Sequence, residues 1–568
     1  AVQDYLSVEA LGDVFDFYIW SGTPREALTA YGTLTGLPIF PPEWVFEPWA
    51  GGGGGRWRNG PLQDIALEQM AAMKKFHELD IPHSGFYAEG AGATFFGEYK
   101  KEELYKVVSF GERHGFKVFS WQFPNMTQEL AQELLPECPK EELPITRNKN
   151  DEEEKLPVYI DFSHPRAKEL LAAQWKDRMD AGIRGSMVDF GDVVPDEAVF
   201  YDGRRGDEMH NAYAYQYAKN YRELFEQKYG DDHVLYTRGA APGSQHFACQ
   251  FGGDQLTSFQ GLKYAIAGGL SAAASGLPFW GVDAGGYDGF PDQETYLRWT
   301  EYAAFCPLMR FHGTEPREPW EYDAFTVKVY RYYTWLRENL RPYIVSVAAE
   351  AHKLGIPMMR PLAMMYPEDQ EATKVWDEYL FGEDLLVAPV SDETEEREIY
   401  FPEGRWISLW NLNDEISGPV QRSVEVPIDK IPVYIREGSF LPLRLNESLK
   451  LGESMSESET EMILAVVPQN DSIVKETLYE RSGAKTCCGM EKNGETIQLQ
   501  ISGRTAELYV MLAGIHWKNT EAIVNGRTLT KVTAREGLYF TEGYLELEEG
   551  ILVKINPSAE SVIKIQKK

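Results

Sequence analysis

Eight short apolar segments alternate with helical stretches from Glu43 to about Glu350, and this alternation limits the fold more than any other feature. The apolar segments are residues 45–50, 83–88, 117–122, 185–190, 233–238, 247–254, 277–284 and 307–312. Helical patterns lie between most of them, for example at Asp64–Leu79, Pro165–Ala181 and Met209–Tyr229. Short apolar runs bounded by turn signals are typical of buried parallel strands. Eight strand–helix units of this kind predict an α/β fold, a closed (β/α)8 TIM barrel with inserted loops.

The barrel is expected to be one of several domains, because 568 residues are too many for a single hydrophobic core. Upstream, the alternation in Val14–Trp20 and the helical pattern of Pro24–Thr35 predict the remnant of an N-terminal β-sandwich that is mostly missing here. After Pro357 apolar residues recur at every second position, which is typical of antiparallel strands, and Gly and Pro interrupt these runs. The predicted domains are 1–42 (end of the N-terminal β-sandwich and its exit helix), 43–355 (barrel), 356–445 (proximal β-sandwich) and 446–568 (distal β-domain).

Charge and composition exclude several classes of function. The net charge of −32, from 56 basic and 88 acidic residues, argues against a nucleic-acid partner, because phosphate binding needs a basic surface. Five irregularly spaced cysteines do not fit a disulfide framework or a zinc motif. Neither a run of about 18 apolar residues nor a signal peptide is present, so no membrane partner is expected. These features predict a cytoplasmic protein, and they leave a homo-oligomer open.

Polar and aromatic residues stand at the carboxyl ends of the predicted strands, where α/β barrels place their active sites. The segment Gly182–Asp196 is central, because an apolar run ends on Asp189 and a turn and Asp192 follow at once. Asp254 ends the similar stretch FACQFGGD. Two carboxylates on separate strands that open to one face suit acid–base or nucleophilic catalysis. The other residues at strand ends are Trp49, Tyr87, Glu89, Trp121, Gln122, Arg238, Trp280, Asp283, Arg310 and His312.

Each of these residues also has a structural explanation. Asp189 could cap the following segment, Arg238 could pair with a structural acid, and His312 could be a satisfied buried histidine. The five glycines at 51–55 could admit a ligand closely or simply form a flexible loop. As a set, four carboxylates, an arginine and a histidine around one mouth favour catalysis, because buried acids are rarely kept without partners.

Other chemistries lack their sequence signals. No H-x-x-x-H, H-x-H or helically spaced acid cluster accompanies Asp189 or His312, so neither a metal nor another cofactor is predicted. A G-x-S-x-G elbow for a serine hydrolase is absent. The glycine run is not followed by Gly-Lys-Ser/Thr, which excludes a phosphate loop.

Several motifs in order resemble glycoside hydrolase family 31, the retaining α-glycosidases, over essentially the whole chain. The nucleophile region of the family's α-xylosidase and sulfoquinovosidase branches is similar to MVDFGDVVPDEAVFYDGRRGDEMHN. The family's acid/base region is similar to LYTRGAAPGSQHFACQFGGDQ. Further landmarks in the family's order are FWGVDAGGY, FHGTEPREPW, IPMMRPL, GEDLLVAPV and YFPEGRWISLW. The resemblance implies an N-terminal β-sandwich, a (β/α)8 barrel and two C-terminal β-domains.

The resemblance also implies an activity and the residues that carry it. Asp189 would be the nucleophile and Asp254 the general acid/base of an exo-acting α-glycosidase, which hydrolyses a terminal α-linked sugar through a covalent glycosyl-enzyme. Arg238, Asp283 and His312 would hold hydroxyls of that sugar, so the expected partner is a small carbohydrate or glycoside. The same site would be an α-transglycosylase if a sugar hydroxyl replaced water, and a sugar-binding relative without catalysis is a further alternative.

Departures from the family pattern fall in the sugar-selecting pocket. They leave the identity of the sugar undetermined, but they do not change the predicted reaction. Asp192 stands where the family usually has Glu, and Glu89 takes the place of an Asp that binds distal hydroxyls. Met187 replaces a Lys of the xylosidase-like branch, and the Arg and Trp expected of a sulfoquinovosidase are absent from GAGATFFGEY. The predicted substrate-binding set is Trp49, Glu89, Trp121, Met187, Arg238, Trp280, Asp283 and His312.

Overall fold

The chain forms a parallel barrel followed by antiparallel sheets. A computed structural model describes residues 16–52, 62–88, 90–92, 99–147, 158–456, 461–470, 473–504 and 506–568. The predicted site residue Glu89 and most of the five-glycine run lie outside the described residues. Within the described part of the chain, the helices are all too short or too polar to cross a bilayer.

Eight parallel strands make the barrel. In chain order the first ten strands are β1 (Trp49–Gly52), β2 (Gly85–Ala88), β3 (Lys117–Gln122), β4 (Asn125–Met126), β5 (Val158–Tyr159), β6 (Gly185–Val188), β7 (Val234–Thr237), β8 (Cys249–Phe251), β9 (Trp280–Gly281) and β10 (Arg310–Phe311). β4 and β5 pair only with each other, and the remaining strands run in the order β10-β1-β2-β3-β6-β7-β8-β9, each parallel to its neighbour. A parallel bridge between Gly281 and Leu308 joins the two ends of this order. The predicted barrel is therefore confirmed.

Helices alternate with these strands, and capping side chains start several of them. Asp292 accepts a hydrogen bond from the Thr295 N–H at the start of the helix Gln293–Ala304, and Asp323 accepts one from the Thr326 N–H at the start of the helix Ala324–Leu354. The helices are α1 (Pro24–Thr35), α2 (Leu62–Glu78), α3 (Lys101–Arg113), α4 (Gln128–Leu134), α5 (Ala167–Ala181), α6 (Gly206–Tyr229), α7 (Phe259–Ala274), α8 (Gln293–Ala304), α9 (Ala324–Leu354) and α10 (Leu362–Met365).

The first barrel strand starts later than the pattern 45–50 predicts. Residues Glu43–Phe46 form a 3₁₀ turn whose Val45 and Phe46 enter the core, and the strand begins at Trp49. The Pro48 carbonyl accepts from the Ser84 N–H at 3.1 Å, but Pro48 has no N–H to give on the other side. The chain is therefore paired on both sides only from Trp49, whose N–H donates to the Met309 carbonyl at 2.8 Å. This shift changes where the Trp49 side chain lies.

Residues 16–20, the described part of the segment predicted as an N-terminal strand, do not form one. Phe17, Tyr18 and Ile19 are each more than half exposed. Among the described residues no strand pairs with them. An apolar alternation becomes a strand only when a neighbouring strand accepts its backbone hydrogen bonds.

Antiparallel strands dominate the rest of the chain and form three sheets. A six-stranded sheet has the order β11-β12-β13-β16-β14-β15, a five-stranded one the order β17-β18-β22-β26-β25, and another six-stranded one the order β19-β20-β21-β27-β23-β24. β17 pairs with β18 and so belongs to the five-stranded sheet, whereas the boundary predicted at residue 445 placed its residues in the preceding domain. The bounds are β11 (Met359–Pro361), β12 (Tyr379–Phe381), β13 (Leu385–Val387), β14 (Glu396–Ser408), β15 (Glu415–Glu425), β16 (Val433–Arg436), β17 (Phe440–Leu445), β18 (Glu461–Val466), β19 (Ile473–Tyr479), β20 (Lys485–Asn493), β21 (Thr496–Ser502), β22 (Leu508–Ala513), β23 (Thr520–Val524), β24 (Arg527–Thr528), β25 (Gly543–Glu546), β26 (Gly550–Ile555) and β27 (Glu560–Lys567).

Candidate active site

Asp189 directly follows β6 at the carboxyl end of the barrel, and its side chain is 5% exposed. Its N–H donates to the Gln122 carbonyl at 2.8 Å, which continues the pairing of β3 and β6 by one residue. The Trp121 indole N–H donates to Asp189 Oδ2 at 3.0 Å, and the Phe190 N–H donates to Oδ1 at 2.9 Å. Both oxygens are thus oriented by fixed donors, which is how a reacting carboxylate is held in place.

Phe190 turns the chain sharply after this carboxylate. Its φ of 58° is in the left-handed region, which costs a bulky residue about 1–3 kcal/mol. The Phe190 ring lies 4.4 Å from the Arg238 guanidinium, and this cation–π contact compensates part of that cost. Gly191 follows, and a β-carbon there would come within 2.8 Å of the Tyr217 ring. The turn therefore fits only a small residue at 191.

Arg238 follows β7 and bridges two carboxylates. Its Nη1 lies 3.5 Å from Asp189 Oδ1, while Nη2 donates to Asp192 Oδ1 at 3.1 Å. Burial opposes the positive charge on Arg238, but the Asp189 and Asp192 carboxylates outweigh it, so the pKa of Arg238 is raised. Asp192, the departure from the family's usual Glu, is long enough to hold the arginine against Asp189.

Burial raises the pKa of Asp189 above that of an ordinary aspartate. The Arg238 charge and the hydrogen bonds from Trp121 and Phe190 act in the opposite direction, and the charge of Asp254 adds to the rise. The acid form of Asp189 therefore persists to higher pH than in water, and an activity that needs the carboxylate falls as the pH drops through this raised pKa.

Asp254 lies on the loop that follows β8 and is exposed at the carboxyl end of the barrel, which we call the mouth. Its negative charge raises the pKa of Asp189, Arg238 and Asp283, so the four groups lie close enough to interact electrostatically. Gly253, with φ of 76°, brings the loop against Arg238, because a β-carbon there would lie 3.0 Å from Arg238 Cδ. The loop thus carries Asp254 over the arginine that contacts Asp189.

The floor of the mouth is a buried ion pair. Arg310 Nη1 donates to Asp283 Oδ1 at 2.5 Å and to the Tyr236 hydroxyl at 2.6 Å, and the arginine is 0% exposed. Burial disfavours the charge of Arg310, but the Asp283 carboxylate prevails and the pKa of Arg310 is raised. Met187 lies on the same floor, where its sulfur accepts a hydrogen bond from Arg310 Nη2 at 3.4 Å. A lysine at 187 would face this buried guanidinium with a like charge.

His312 is buried beside the rings of Tyr87 and Tyr287, whose centroids lie 4.4 and 5.5 Å from its own. Burial, together with the charges of Arg310 and Arg317, holds the pKa of His312 well below its usual value, so the imidazole is neutral. A β-carbon on Gly51 would approach His312 Nδ1 to 3.1 Å and the Phe311 carbonyl oxygen to 2.5 Å. The glycine run therefore begins with a close approach that only glycine permits.

Two predicted substrate contacts, Trp49 and Trp280, take part in the barrel's packing. Trp49 is 0% exposed and packs with its ring 5.0 Å from Phe119 and 5.9 Å from Tyr236. Trp280 packs against α7, where its indole nitrogen lies 2.8 Å from the position of a β-carbon on Gly269. The prediction for Trp49 is corrected, because its ring is closed off in the core. Trp280 stays a predicted contact, because its ring also lies against Gly252 on the loop that carries Asp254.

The remaining predicted residues converge, together with some that the sequence did not assign. The structure brings Trp121, Met187, Asp189, Arg238, Asp254, Asp283 and His312 to one end of the barrel. It adds Tyr236, which accepts from Arg310, and Gln255, whose side-chain oxygen accepts from the Asp283 N–H at 3.2 Å. Arg310, which the sequence placed at a strand end, lies on β10, and His312 directly follows that strand. Among the described residues no group of three or more potential metal ligands occurs.

Trp121→Phe is expected to move the acidic limb of the kcat/KM profile to higher pH. The substitution removes a hydrogen bond that favours ionised Asp189, so the pKa of Asp189 rises further and activity is lost at a higher pH. Trp44→Phe is the matched control, because the Trp44 indole N–H also donates to a carboxylate, Asp232 Oδ1 at 2.9 Å, elsewhere in the barrel. An unchanged limb in Trp121→Phe would contradict this assignment.

Comparisons with known proteins agree with this geometry. The family model described as the glycosyl hydrolases family 31 TIM-barrel domain matches residues 39–347, and the glycosyl hydrolase family 31 C-terminal domain matches residues 355–441. An isomaltosyltransferase of Sporosarcina globispora is 27% identical over 96% of this chain and 54% of its own length. An α-xylosidase of Emericella nidulans is 27% identical over 77% of this chain and 58% of its own length.

A solved structure shares the fold over nearly the whole chain. The cycloalternan-forming enzyme of Listeria monocytogenes, in complex with a pentasaccharide, has a TM-score of 0.85 at 22% identity, covering 96% of this chain and 56% of that one. The chain spans about half the length of the curated relatives it matches. Because the family models cover the barrel and the strands that follow it, the chain belongs to glycoside hydrolase family 31.

Proposed function

We propose that the chain is the catalytic part of a retaining, exo-acting α-glycosidase. The observation that carries the proposal is the placement of Asp189, whose two oxygens are held by Trp121 and Phe190 beside Arg238. Asp254, on the loop after β8, is close enough for its charge to raise the pKa of Asp189. Membership of family 31 supports the same chemistry.

The proposed reaction has two displacements. Asp189 attacks the anomeric carbon as the bond to the leaving oxygen breaks, and Asp254 gives its proton to that oxygen. Water then attacks the anomeric carbon of the glycosyl-enzyme, gives a proton to Asp254, and releases Asp189 with the α-configuration retained. Arg238 favours the ionised nucleophile in the free enzyme.

We propose that the floor of the mouth recognises the terminal sugar. The Asp283 carboxylate, fixed by Arg310, accepts hydrogen bonds from its hydroxyls, and neutral His312 donates one through its ring N–H. Trp121 and Met187 contact the sugar ring from neighbouring strands, and Glu89 takes the distal hydroxyls. The Met187 thioether, where the xylosidase-like branch has a cation, gives this part of the floor an uncharged surface toward the sugar.

An α-transglycosylase is the second candidate. The match to an isomaltosyltransferase over 96% of this chain favours it, because the same glycosyl-enzyme passes its sugar to a hydroxyl in place of water. Nitrophenyl α-glycosides of glucose, xylose, galactose, N-acetylgalactosamine and sulfoquinovose identify the sugar. Product analysis with added isomaltose separates transfer from hydrolysis. A protein that binds one of these sugars without releasing nitrophenol would be a sugar-binding relative, and the proposal would fall.

Asp254→Ala is expected to lower the rate by an amount that depends on the leaving group of the substrate. Hydrolysis of a disaccharide should fall by about 10²–10⁴-fold, because its alcohol leaving group needs a proton. Glycosyl-enzyme formation from a nitrophenyl glycoside should fall far less, so a burst of nitrophenol is expected by stopped flow. Asp288→Ala, which removes another exposed carboxylate near the mouth, is the control and should leave both rates unchanged. Equal losses on both substrates would contradict the assignment.

A further inference from the structure

A second cavity lies on the outer side of α6, and we call it the α6 groove. It has a volume of about 770 Å³ and is lined by Phe162, Asn211, Tyr215, Gln216, Asn220 and Pro242, among others. This volume is in the range of about 300–1,000 Å³ typical of small-molecule sites. The inner side of α6 faces the barrel, since Ala214 packs on Gly239. The groove is therefore separate from the residues of the mouth.

The wall of the α6 groove is held in a fixed geometry. Gly243 has φ of 99°, and a β-carbon there would lie 2.9 Å from the Tyr215 ring and 3.1 Å from the Thr35 carbonyl oxygen. The turn before it therefore fits directly against Tyr215, whose ring is also held by an edge contact with Phe247 at 5.1 Å. Phe162 packs on Tyr213 at 5.6 Å. The two half-buried rings of the groove, Tyr215 and Phe162, are thus preorganised.

Three neutral amides contribute to the polar lining of the groove. Asn211, Gln216 and Asn220 project from α6, and each side-chain amide both donates and accepts hydrogen bonds. The Gln216 side-chain oxygen is buried and has no hydrogen-bond partner among the described residues. Buried acceptors are normally bonded, and rotation of the half-buried Gln216 side chain brings this oxygen to the groove, where a ligand hydroxyl can donate to it.

The charges at the groove favour an uncharged ligand. Lys168 and Glu223 pair with each other at 2.6 Å, so neither is left to bind an ion. Sugar hydroxyls donate and accept at once, as the amides do, and the faces of sugar rings pack on aromatic side chains. An apolar ligand would leave the amides unsatisfied, and a phosphate would find only Lys219 as an added cation.

We infer that the α6 groove is a second binding site for a glycan. The expectation that this glycan is an α-glucan, rather than another neutral saccharide, rests on the proposed function. The groove is linked to the mouth by a short segment, because Arg238 contacts Asp189 and Pro242 forms the groove wall. A polymer held in the groove is kept near the mouth, which raises the effective concentration of its chain ends there.

Native gel electrophoresis through dextran, starch or pullulan tests this inference. The Asp189→Ala protein serves as the parent so that the polymer is not digested. We expect at least one of the three polymers to retard the parent and Tyr215→Ala/Gln216→Ala to weaken the retardation about tenfold, because a ring contact and a buried hydrogen bond are lost. Asn211→Ala/Asn220→Ala, which removes the other two amides of the lining, should weaken it in the same direction. Thermal melting checks that each variant is folded.

Matched controls and a second readout separate this site from the mouth. Gln260→Ala/Tyr264→Ala removes the same residue types from the exposed side of α7 and should not change retardation. In the active enzyme, the groove variants should keep kcat/KM for nitrophenyl glycosides and lose activity on the polymer. Parent protein that no polymer retards, or groove variants retarded as strongly as the parent, would overturn the inference. Failure on all nitrophenyl glycosides would overturn the proposed function alone, because retardation does not depend on turnover.

Discussion

Asp189→Ala is expected to lower kcat for nitrophenyl α-glycosides by about four orders of magnitude or more, because no other group can form the glycosyl-enzyme. Sodium azide should restore part of the rate by entering the space left by the carboxylate. Azide attacks the anomeric carbon once, so its product should be the β-glycosyl azide. The rate is measured from nitrophenol release and the anomeric configuration from proton NMR of the product.

Asp196→Ala is the matched control for this experiment. Asp196 is an exposed carboxylate seven residues further along the same segment, and its removal should leave kcat within about twofold, as expected of a surface substitution. Full activity in Asp189→Ala, or an α-configured azide product, would refute the nucleophile assignment. Because Asp189 is buried beside Arg238, thermal melting of the variant is needed to show that the loss is not due to unfolding.

Asp283→Ala is expected to reduce stability as well as activity. It leaves the Arg310 guanidinium, which is 0% exposed, without its carboxylate, and breaking a buried ion pair costs about 3–5 kcal/mol. Sugar recognition should fail at the same time, so kcat/KM for every accepted glycoside should drop. Urea unfolding followed by tryptophan fluorescence measures the change in the free energy of unfolding.

Asp180→Ala is the control for this prediction, because Asp180 pairs at the surface with Lys176, whose side chain is 70% exposed. Exposed ion pairs are screened by water and contribute little, so a small change is expected. The double variant Asp283→Leu/Arg310→Met should recover part of the stability lost in Asp283→Ala but none of the activity. Similar stabilities for Asp283→Ala and the Asp180 control would mean that the buried pair does not stabilise the barrel.

The sequence determined the fold and the placement of Asp189 and Asp254 after two of its strands, because these depend on local patterns. Short apolar runs alternating with helices specify a parallel barrel, and an acid directly after such a run must lie at the carboxyl end of its strand. That reasoning located Asp189 and Asp254 without any knowledge of their neighbours. It also placed α1, which spans the predicted Pro24–Thr35.

The tertiary structure alone decided which side chains support the site, because those contacts join residues far apart in the chain. The pairs Trp121–Asp189 and Asp283–Arg310 come from different strands, and no local pattern encodes them. Pro48 delays the first strand, so Trp49 lies at its beginning, below the mouth, where a strand at 45–50 would have placed it near the end. A side chain's depth in a barrel depends on the register of its strand, and register is set by hydrogen bonds to neighbouring strands.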